Sequence, residues 1–325
     1  MREHIFGAES ISNNKSVSNA IFNWGNPADR LSNQSVHLID LIEQKLKNNE
    51  KFYSFELFPV KDAEKYQRFF SETNKYSPLF HAITWHCGKN VNNLDLENIL
   101  PLRIAEQFPC NTLLHLAAKG LKSKNIERIL NRALESGIKN IFALQGDSSL
   151  EIGETSDFVY AVDLVAFIRK QFGSKFCICV AGYPETHSKS PSKELDLFYL
   201  KEKVDAGANF IISQIFFEAR NFIEFVKDCR KINIRIPIIP GIFPITDYKS
   251  LLRMSNICNV QIPKFLFEAL EPIKDNNEAV RKFGTELTLR IIKEIFESGT
   301  ANGFHLFTLN RYSVLSDVCG HPVLN

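Results

Sequence analysis

The sequence contains no apolar stretch long enough to predict a membrane span. Its most apolar run, residues 236–245, is short and is interrupted by Pro237, Pro240 and Pro244. The N-terminus lacks the apolar core of a signal peptide. We therefore expect a cytoplasmic protein with no membrane partner, in which residues 1–36, rich in Asn and Ser, form a mobile N-terminal extension.

The sequence also lacks a large excess of charge of one sign, and it lacks metal-binding patterns. The 39 basic and 37 acidic residues leave a net charge of +2, and no basic block argues for nucleic acid as a partner. The seven cysteines are scattered without a C-x-x-C pair, so we expect reduced thiols and no metal site. Cys177 and Cys179, two apart on a predicted strand, are expected to face the same side.

Several catalytic and nucleotide-binding motifs are absent as well. No G-x-G-x-x-G follows a predicted strand, and no G-x-x-x-x-G-K-[ST] occurs. Neither a G-x-S-x-G elbow nor an H-E-x-x-H pair is present, which disfavours the corresponding hydrolases. Any dinucleotide must therefore bind to loops of a different kind of fold.

Short apolar segments, alternating with helical patterns, are what the sequence does contain. They are Phe52–Phe58, Ala82–Trp85, Thr112–Leu116, Asn140–Leu144, Phe176–Ala181, Phe210–Ser213, Ile236–Ile239 and Phe304–Thr308. Strands that alternate with helices predict a parallel sheet, and eight of them predict an α/β fold of the closed (β/α)8 TIM-barrel type. We expect a single catalytic barrel over residues 37–325, with its site at the carboxyl ends of the strands.

The helical patterns support this order. A helix over residues 36–48 precedes the first strand, and Ile126, Ile129, Leu130, Ala133 and Leu134 form an apolar stripe after the third. The interval between the seventh and eighth strands is far longer than the others. We expect it to hold extra helices near residues 248–255, 263–270 and 278–298.

Glu56 is an acidic residue within an otherwise apolar strand. Burial raises the pKa of a carboxyl group, and a carboxyl that stays protonated near neutral pH can act as a general acid. The alternative is a structural carboxylate paired with a buried base. The position of Glu56 late in the first strand favours the catalytic interpretation.

Three further strand ends carry polar side chains. Asp147 follows Gly146, whose freedom lets the backbone approach a ligand, although Asp147 could equally cap a turn. Gln214 offers donors and an acceptor to a heterocycle, or could be a satisfied core amide. A lone histidine such as His115, on an apolar strand, is more often part of a core than a ligand contact.

The segment 181–187 is dense in aromatic and polar residues. Asp196 and Lys203, seven residues apart on the following helix, are expected to share one face. Tyr183 could stack on a ring while Lys203 meets a phosphate, or this could be an ordinary loop and a solvated helix. The residues alone therefore predict a barrel enzyme with a carboxylic acid, a second carboxylate and an amide around a heterocyclic ligand.

A series of motifs in one order identifies a family that the chain resembles. They are FELFP (55–59), TWH (84–86), ALQGD (143–147), YAVDL (160–164), AGYPETH (181–187), LKEKVDAGA (200–208), SQIFFE (213–218), IPGIFP (239–244), EPIKDN (271–276) and FTLNR (307–311). Over roughly residues 37–320 the sequence resembles the catalytic barrel of methylenetetrahydrofolate reductases, and more closely the eukaryotic ones.

The resemblance implies a reaction and its cofactors. FAD would lie at the barrel mouth and be reduced by NADPH or NADH. The nicotinamide dinucleotide would then leave, and 5,10-methylenetetrahydrofolate would take its place and be reduced to 5-methyltetrahydrofolate in a ping-pong sequence. This step of one-carbon metabolism serves methionine biosynthesis. Members of the family are usually dimers or tetramers, so a homo-oligomer is expected.

The resemblance also implies residue roles. Glu56 would be the general acid, Asp147 would stabilise a cationic folate intermediate, and Gln214 would bind the pterin edge. Met254 would lie near the nicotinamide or folate, and Arg311 would meet the glutamate tail. The positions that match FAD-binding residues are Thr84, His115, Gln145, Gly146, Asp147, Tyr160, Ala161, Tyr183, His187, Asp196 and Lys203.

The chain departs from the family pattern at a few positions. Gln145 replaces the usual Arg before Gly-Asp, Ala117 stands where Thr is usual, and Ser213 replaces Thr. These departures motivate an alternative, a non-catalytic or impaired paralogue that binds flavin or folate. Another flavin-dependent barrel, similar to proline dehydrogenase, is a further alternative. The regulatory region that binds S-adenosylmethionine in long eukaryotic members is expected to be absent.

Overall fold

The computed structural model describes residues 36–60, 62–85, 96, 99–107, 111–146 and 156–321. These residues all fall within one compact unit, Asn33–Asn325. The predicted N-terminal extension, apart from Val36, lies outside the described residues, and so does Asp147.

Parallel strands form a single sheet with helices on its outer side. The strands are β1 (Phe52–Leu57), β2 (Phe80–Ile83), β3 (Thr112–Ala117), β4 (Asn140–Leu144), β5 (Cys177–Gly182), β6 (Phe210–Ser213), β7 (Ile238–Ile239), β8 (Gly241–Ile242) and β9 (Gly303–Phe307). Their spatial order is β7-β6-β5-β4-β3-β2-β1-β9-β8. The predicted (β/α)8 TIM-barrel architecture is confirmed.

Two strand predictions need correction. The seventh barrel strand consists of two pieces, since β7 pairs with β6 and β8 pairs with β9 while only Pro240 lies between them. Proline has no N–H to donate, but its carbonyl accepts a hydrogen bond from the backbone N–H of His305 at 2.9 Å. The second strand runs over Phe80–Ile83, earlier than the predicted Ala82–Trp85, because Phe80 already pairs with Ser54.

The helices that surround the sheet follow the predicted alternation. They are α1 (Leu38–Lys47), α2 (Ala63–Asn74), α3 (Leu100–Ala105), α4 (Ser123–Glu135), α5 (Ala161–Phe172), α6 (Lys193–Asp205), α7 (Ala219–Lys231), α8 (Tyr248–Cys258), α9 (Lys264–Leu270), α10 (Asn277–Glu297) and α11 (Tyr312–Val314). Helices α8 to α10 lie between β8 and β9, as predicted. None of the helices in the described ranges is both long and apolar enough to cross a membrane.

Helix α1 packs against the inward-facing side chains of the strands. Its Leu38 and Ile42 are fully buried in the same cluster as strand residues such as Phe52 and Phe210. Asn140, at the first position of β4, accepts a hydrogen bond from the backbone N–H of Leu38 at 2.8 Å. Helix α1 therefore covers the amino ends of the strands, and the carboxyl ends remain for the functional site.

The interior cluster contains the two cysteines of β5. Cys177 and Cys179 are both buried among inward-facing residues, which confirms the prediction that they share one side of the strand. Burial raises the pKa of both thiols, Cys177 to about 12. These two thiols are therefore packing groups and not nucleophiles.

Candidate active site

Glu56 lies near the end of β1 and faces the barrel interior. It lies two residues after Ser54 and four residues after Phe52, whose ring packs in the interior cluster. Because side chains alternate along a strand, all three residues are on the same side of β1. Only 6% of Glu56 is exposed. Burial raises the pKa of its carboxyl group to about 7, against the opposing effect of the nearby Thr84 hydroxyl. Glu56 is thus a buried acid that keeps its proton in a substantial fraction of molecules at neutral pH, unlike an ordinary glutamate.

The β1–β9 seam fixes the backbone around this acid. Glu56 pairs with Phe307 in the parallel ladder, and the Thr308 hydroxyl donates to the carbonyl of Glu56 at 2.7 Å. Beyond it, the amide of Asn310 accepts from the N–H of Phe58 and donates to the Phe58 carbonyl, each at 2.9 Å. The backbone that carries the acid therefore cannot swing out of the mouth without breaking these bonds.

Thr84 and His115 contribute buried polar atoms on neighbouring strands. Thr84 directly follows β2, and His115 is inside β3, where its ring meets the Phe142 ring edge to face with centroids 4.8 Å apart. Burial lowers the pKa of His115 to about 3, so its imidazole is neutral. Neither Thr84 Oγ1 nor His115 Nε2 has a hydrogen-bond partner of good geometry within the described residues.

Gln145 and Gly146 follow β4 at the point where the chain leaves the sheet. The Gln145 side chain donates from Nε2 to the carbonyl of Val159 at 2.6 Å. Gly146 adopts a φ of +93°, and a Cβ there would lie 3.0 Å from the Cβ of Ala117. Gln145 therefore connects the two ends of the β4 loop. Asp147 is the next residue, and the structure does not describe it.

Tyr160 and Ala161 begin helix α5 at the far end of the same loop. The carboxylate of Asp163 accepts from the backbone N–H groups of Val159 and Tyr160, at 2.9 and 2.8 Å, and so caps the helix. The Tyr160 side chain is 63% exposed. The ring is thus presented to solvent from a firmly held backbone.

Tyr183, His187, Asp196 and Lys203 form one cluster beyond β5. The Tyr183 and His187 rings meet at right angles with centroids 4.5 Å apart, and the Lys203 ammonium lies 5.7 Å from the centre of the Tyr183 ring. Lys203 donates from Nζ to the carbonyl of Ala181 at 2.6 Å. The structure therefore brings together four of the predicted cofactor residues.

Burial shifts the pKa values of the two charged residues in this cluster. Burial lowers the pKa of Lys203 to about 8, although the charge of Asp196 opposes the shift. Burial also raises the pKa of Asp196, against a backbone hydrogen bond from His187 and the charge of Lys203. The two residues influence each other from one helix face, as their spacing of seven predicts.

Gln214 follows β6, and part of its side chain is already engaged. Its side-chain Oε1 accepts from the backbone N–H of Ile215 at 2.8 Å. The backbone N–H of Gln214 donates to the carbonyl of Gly182, also at 2.8 Å. Within the described part of the chain, its Nε2 has no acceptor. The geometry leaves Gln214 with amide donors for a ligand rather than the full donor and acceptor edge that the sequence predicts.

Met254 and Arg311 lie on the side formed by α8 and the end of β9. Met254 is partly buried against the core. Arg311 is bound to the start of α8, where it forms an ion pair with Asp247. Sequence reasoning did not select Asp247 as a site residue. The available signal was an Asp directly before a predicted helix, which indicated a helix cap and not an arginine anchor.

The predicted site residues that the structure describes therefore lie within the strands, or on the loops and helices that follow them. None of the described residues forms a group of three or more metal-ligating side chains. Among the described residues, the chemistry available at this end comes from one buried acid, the partly buried carboxylate of Asp196, a neutral imidazole, amide donors and two cations.

Comparisons with known proteins identify the family of the chain. A family model described as methylenetetrahydrofolate reductase matches residues 41–321. A "probable methylenetetrahydrofolate reductase (NADPH)" of Caenorhabditis elegans is 36% identical over 289 residues, with 86% of this chain and 43% of that protein covered. "Methylenetetrahydrofolate reductase (NADH) 1" of Arabidopsis thaliana is 37% identical, with 85% and 49% covered. The chain thus spans about half the length of these two relatives.

A shorter bacterial relative matches along nearly all of its length. The "5,10-methylenetetrahydrofolate reductase" of Buchnera aphidicola is 34% identical over 285 residues, with 86% of this chain and 95% of that protein covered. Among solved structures, a Clostridium thermocellum protein that binds two copies of 5-methyl-5,6,7,8-tetrahydrofolic acid shares the fold. Its TM-score is 0.61 at 16% identity, with 85% of this chain and 97% of that one covered. The chain belongs to the methylenetetrahydrofolate reductase family.

Proposed function

We propose that the chain reduces 5,10-methylenetetrahydrofolate to 5-methyltetrahydrofolate with electrons from NADPH or NADH, through bound FAD and in a ping-pong sequence. The observation that carries this proposal is the carboxyl of Glu56, buried near the carboxyl end of β1 with a pKa of about 7. Opening the five-membered ring of the substrate requires a proton, and a carboxyl whose pKa lies near the working pH can supply one.

The residues at the mouth fit FAD. The buried His115 Nε2 has no hydrogen-bond partner among the described residues and needs one, which a polar cofactor would provide. FAD would supply the transfer of a hydride from the nicotinamide dinucleotide to the folate. The residues proposed to hold it are Thr84, His115, Gln145, Gly146, Asp147, Tyr160, Ala161, Tyr183, His187, Asp196 and Lys203.

The remaining polar groups would hold and polarise the folate. The free amide donors of Gln214 would meet acceptors on the pterin edge, and Asp147 would stabilise positive charge on the substrate before reduction. Met254 would provide an apolar contact to the nicotinamide or the folate. Arg311 would bind the glutamate carboxylates. Glu56 would donate its proton to the ring nitrogen that leaves the methylene carbon, and would then regain a proton from solvent.

The setting of the activity is part of the same proposal. The product would carry a methyl group for methionine biosynthesis, and we propose a cytoplasmic homo-oligomer. The relatives include proteins named for NADPH and for NADH, so both dinucleotides belong in the assay.

The test uses the purified chain reconstituted with FAD. We expect a flavin absorption spectrum that bleaches when NADPH or NADH is added without oxygen, and that recovers when 5,10-methylenetetrahydrofolate follows. A chain that takes up no FAD would contradict the proposal and favour a non-catalytic paralogue. Bleaching without recovery would identify a flavin reductase with a different electron acceptor.

A further inference from the structure

The guanidinium of Arg311 is held by three side chains at the start of helix α8. Its Nη1 donates to the Thr246 hydroxyl and to Asp247 Oδ2, the latter at 2.5 Å, and its Nη2 donates to Ser250 Oγ at 2.6 Å. These bonds use three of the five N–H groups of the side chain. The orientation of the guanidinium plane is therefore fixed by the protein.

Two donors of Arg311 remain. Its Nε–H and one N–H of Nη2 have no acceptor among the residues that the structure describes, and 33% of the side chain is exposed. These two donors sit on adjacent nitrogens of a planar group, which is the arrangement that carboxylates bind. Arg311, on a partly exposed side chain, thus keeps two oriented donors for an anion with two oxygens.

Asp247 has two separate roles, one for each of its oxygens. Oδ1 accepts from the backbone N–H of Ser250 at 2.8 Å and caps helix α8, while Oδ2 binds Arg311. Burial alone would raise the pKa of Asp247, but hydrogen bonds from Ser250 and the charge of Arg311 outweigh it and lower the pKa. Asp247 is therefore ionised at neutral pH and ties Arg311 to a helix terminus.

We propose that Asp247 is a positioning residue, which holds Arg311 so that its two remaining donors face a carboxylate of the folate glutamate tail. This inference rests on the proposed function, because it concerns how the same substrate is bound. Asp247 acts through Arg311 and does not itself touch the substrate.

The orienting effect outweighs the repulsion between Asp247 and the substrate carboxylate. In the proposed arrangement Arg311 would lie between the two anions and interact favourably with both of them. A free arginine loses considerable side-chain freedom when it binds a ligand, whereas an anchored one has already lost that freedom on folding. The anchor therefore favours binding of a ligand that carries the carboxylate, and has no effect on one that lacks it.

The substitution Asp247→Asn isolates this effect. Asparagine is as good a helix cap as aspartate, so its Oδ1 keeps the bond from the Ser250 N–H. Its amide NH₂ then opposes the N–H groups of Arg311 Nη1, and the anchor is lost. Binding is measured by calorimetry on the FAD-loaded protein with two probes, 5-methyltetrahydrofolate and 5-methyltetrahydropteroate, which lacks the glutamate.

We expect Asp247→Asn to weaken binding of 5-methyltetrahydrofolate about tenfold and that of the pteroate less than about twofold. In turnover, KM for the folate should rise with little change in kcat. Arg311→Gln should lower the ratio of the two affinities to a similar extent. The double variant should lower it no further, because both changes remove one interaction.

Asp228→Asn is the matched control. Asp228 pairs with Lys193 and Lys231, neither of which is a predicted site residue, and its side chain is 21% exposed against 22% for Asp247. Its substitution should leave the affinity ratio unchanged. Equal weakening of both probes by Asp247→Asn, or no weakening of either, would overturn the positioning role. An unsubstituted protein that binds neither probe would instead defeat the proposed function.

Discussion

The side chain of Asn310 replaces a strand neighbour for Phe58. It accepts from the Phe58 N–H and donates to the Phe58 carbonyl, both at 2.9 Å, and so continues the pairing of β1 with β9 past the last ladder residue. Asn310 itself adopts a φ of 56°, a left-handed conformation that asparagine tolerates better than most residues. One side chain thus extends the pairing of β1 with β9 beside the buried acid.

Substitution of Asn310 should separate these two contributions to stability. Asn310→Gly keeps the left-handed backbone but loses both hydrogen bonds, which should lower the free energy of unfolding by about 1–3 kcal/mol. Asn310→Ala adds the cost of placing a Cβ at positive φ, roughly 1 kcal/mol more. Urea unfolding of the three proteins measures both differences. Equal stability of the Gly and Ala variants would show that the backbone conformation costs nothing.

Glu56 should govern the folate half-reaction and not the reduction of the flavin. Glu56→Gln removes the proton donor, and we expect a loss of at least about 100-fold in the rate of folate reduction. In the unsubstituted protein that rate should fall as pH rises through about 7, since the carboxyl then loses its proton. Stopped-flow measurement of each half-reaction across pH provides the test.

Glu106→Gln is a suitable comparison, since Glu106 pairs with Arg132 on the outer helices. It should change neither half-reaction. If folate reduction survives in Glu56→Gln at its normal rate, the assignment of the general acid is wrong.

The same carboxyl should also make stability depend on pH. In the folded protein the pKa of Glu56 is raised from 4.5 to about 7. The folded state therefore binds this proton more tightly than the unfolded chain, which stabilises the fold below pH 4.5. The advantage is lost as pH rises to 7 and above, by about 3 kcal/mol. Relative to Glu56→Gln, the unsubstituted protein should lose that much unfolding free energy between pH 5 and pH 8. A parallel pH dependence in both proteins would contradict the burial of the charge.

Gln145 should limit the affinity for FAD. Gln145→Arg adds a cation at a position that the family resemblance associates with a cofactor bearing two phosphates. We expect tighter binding by about tenfold, with a stronger dependence on salt. Gln145→Met, which has a similar size but no donor, should bind FAD more weakly because the bond to the Val159 carbonyl is lost. Quenching of flavin fluorescence measures all three affinities. An Arg variant that binds no more tightly would place the phosphates elsewhere.

The sequence was a good guide to the barrel because burial on both faces gives short, continuous apolar strands. It was a poorer guide to where the sheet closes. Pro240 predicts the end of a strand, yet its carbonyl still pairs with His305 and the chain continues into Gly241–Ile242. The periodicity of apolar residues does not reveal that the carbonyl of a proline can continue the strand pairing.

The candidate site was predictable where chemistry follows a strand directly. Glu56 stands out because burial of a carboxyl group within an apolar strand costs free energy, so such a residue is a candidate for function. Asp247 could not be recognised, since its partner Arg311 is 64 residues away and only the folded chain brings them together. Likewise, the engagement of Gln214 Oε1 by the Ile215 N–H depends on a side-chain rotamer that sequence patterns do not specify.

The division of the seventh strand indicates where the barrel should open locally. Between β6 and β9 the ring of backbone bonds is reduced to two short pairings, and the N–H of Gly241 donates to the hydroxyl of Ser213 at 2.9 Å instead of to a main-chain carbonyl. The Ser213 side chain therefore completes the ring of hydrogen bonds where the strand pairings are short, next to Gln214. Serine supplies this hydroxyl, as the threonine that is usual in the family also would, whereas alanine would remove the hydrogen bond. Transient opening of the barrel should then begin on the side of the mouth where the pterin is proposed to lie.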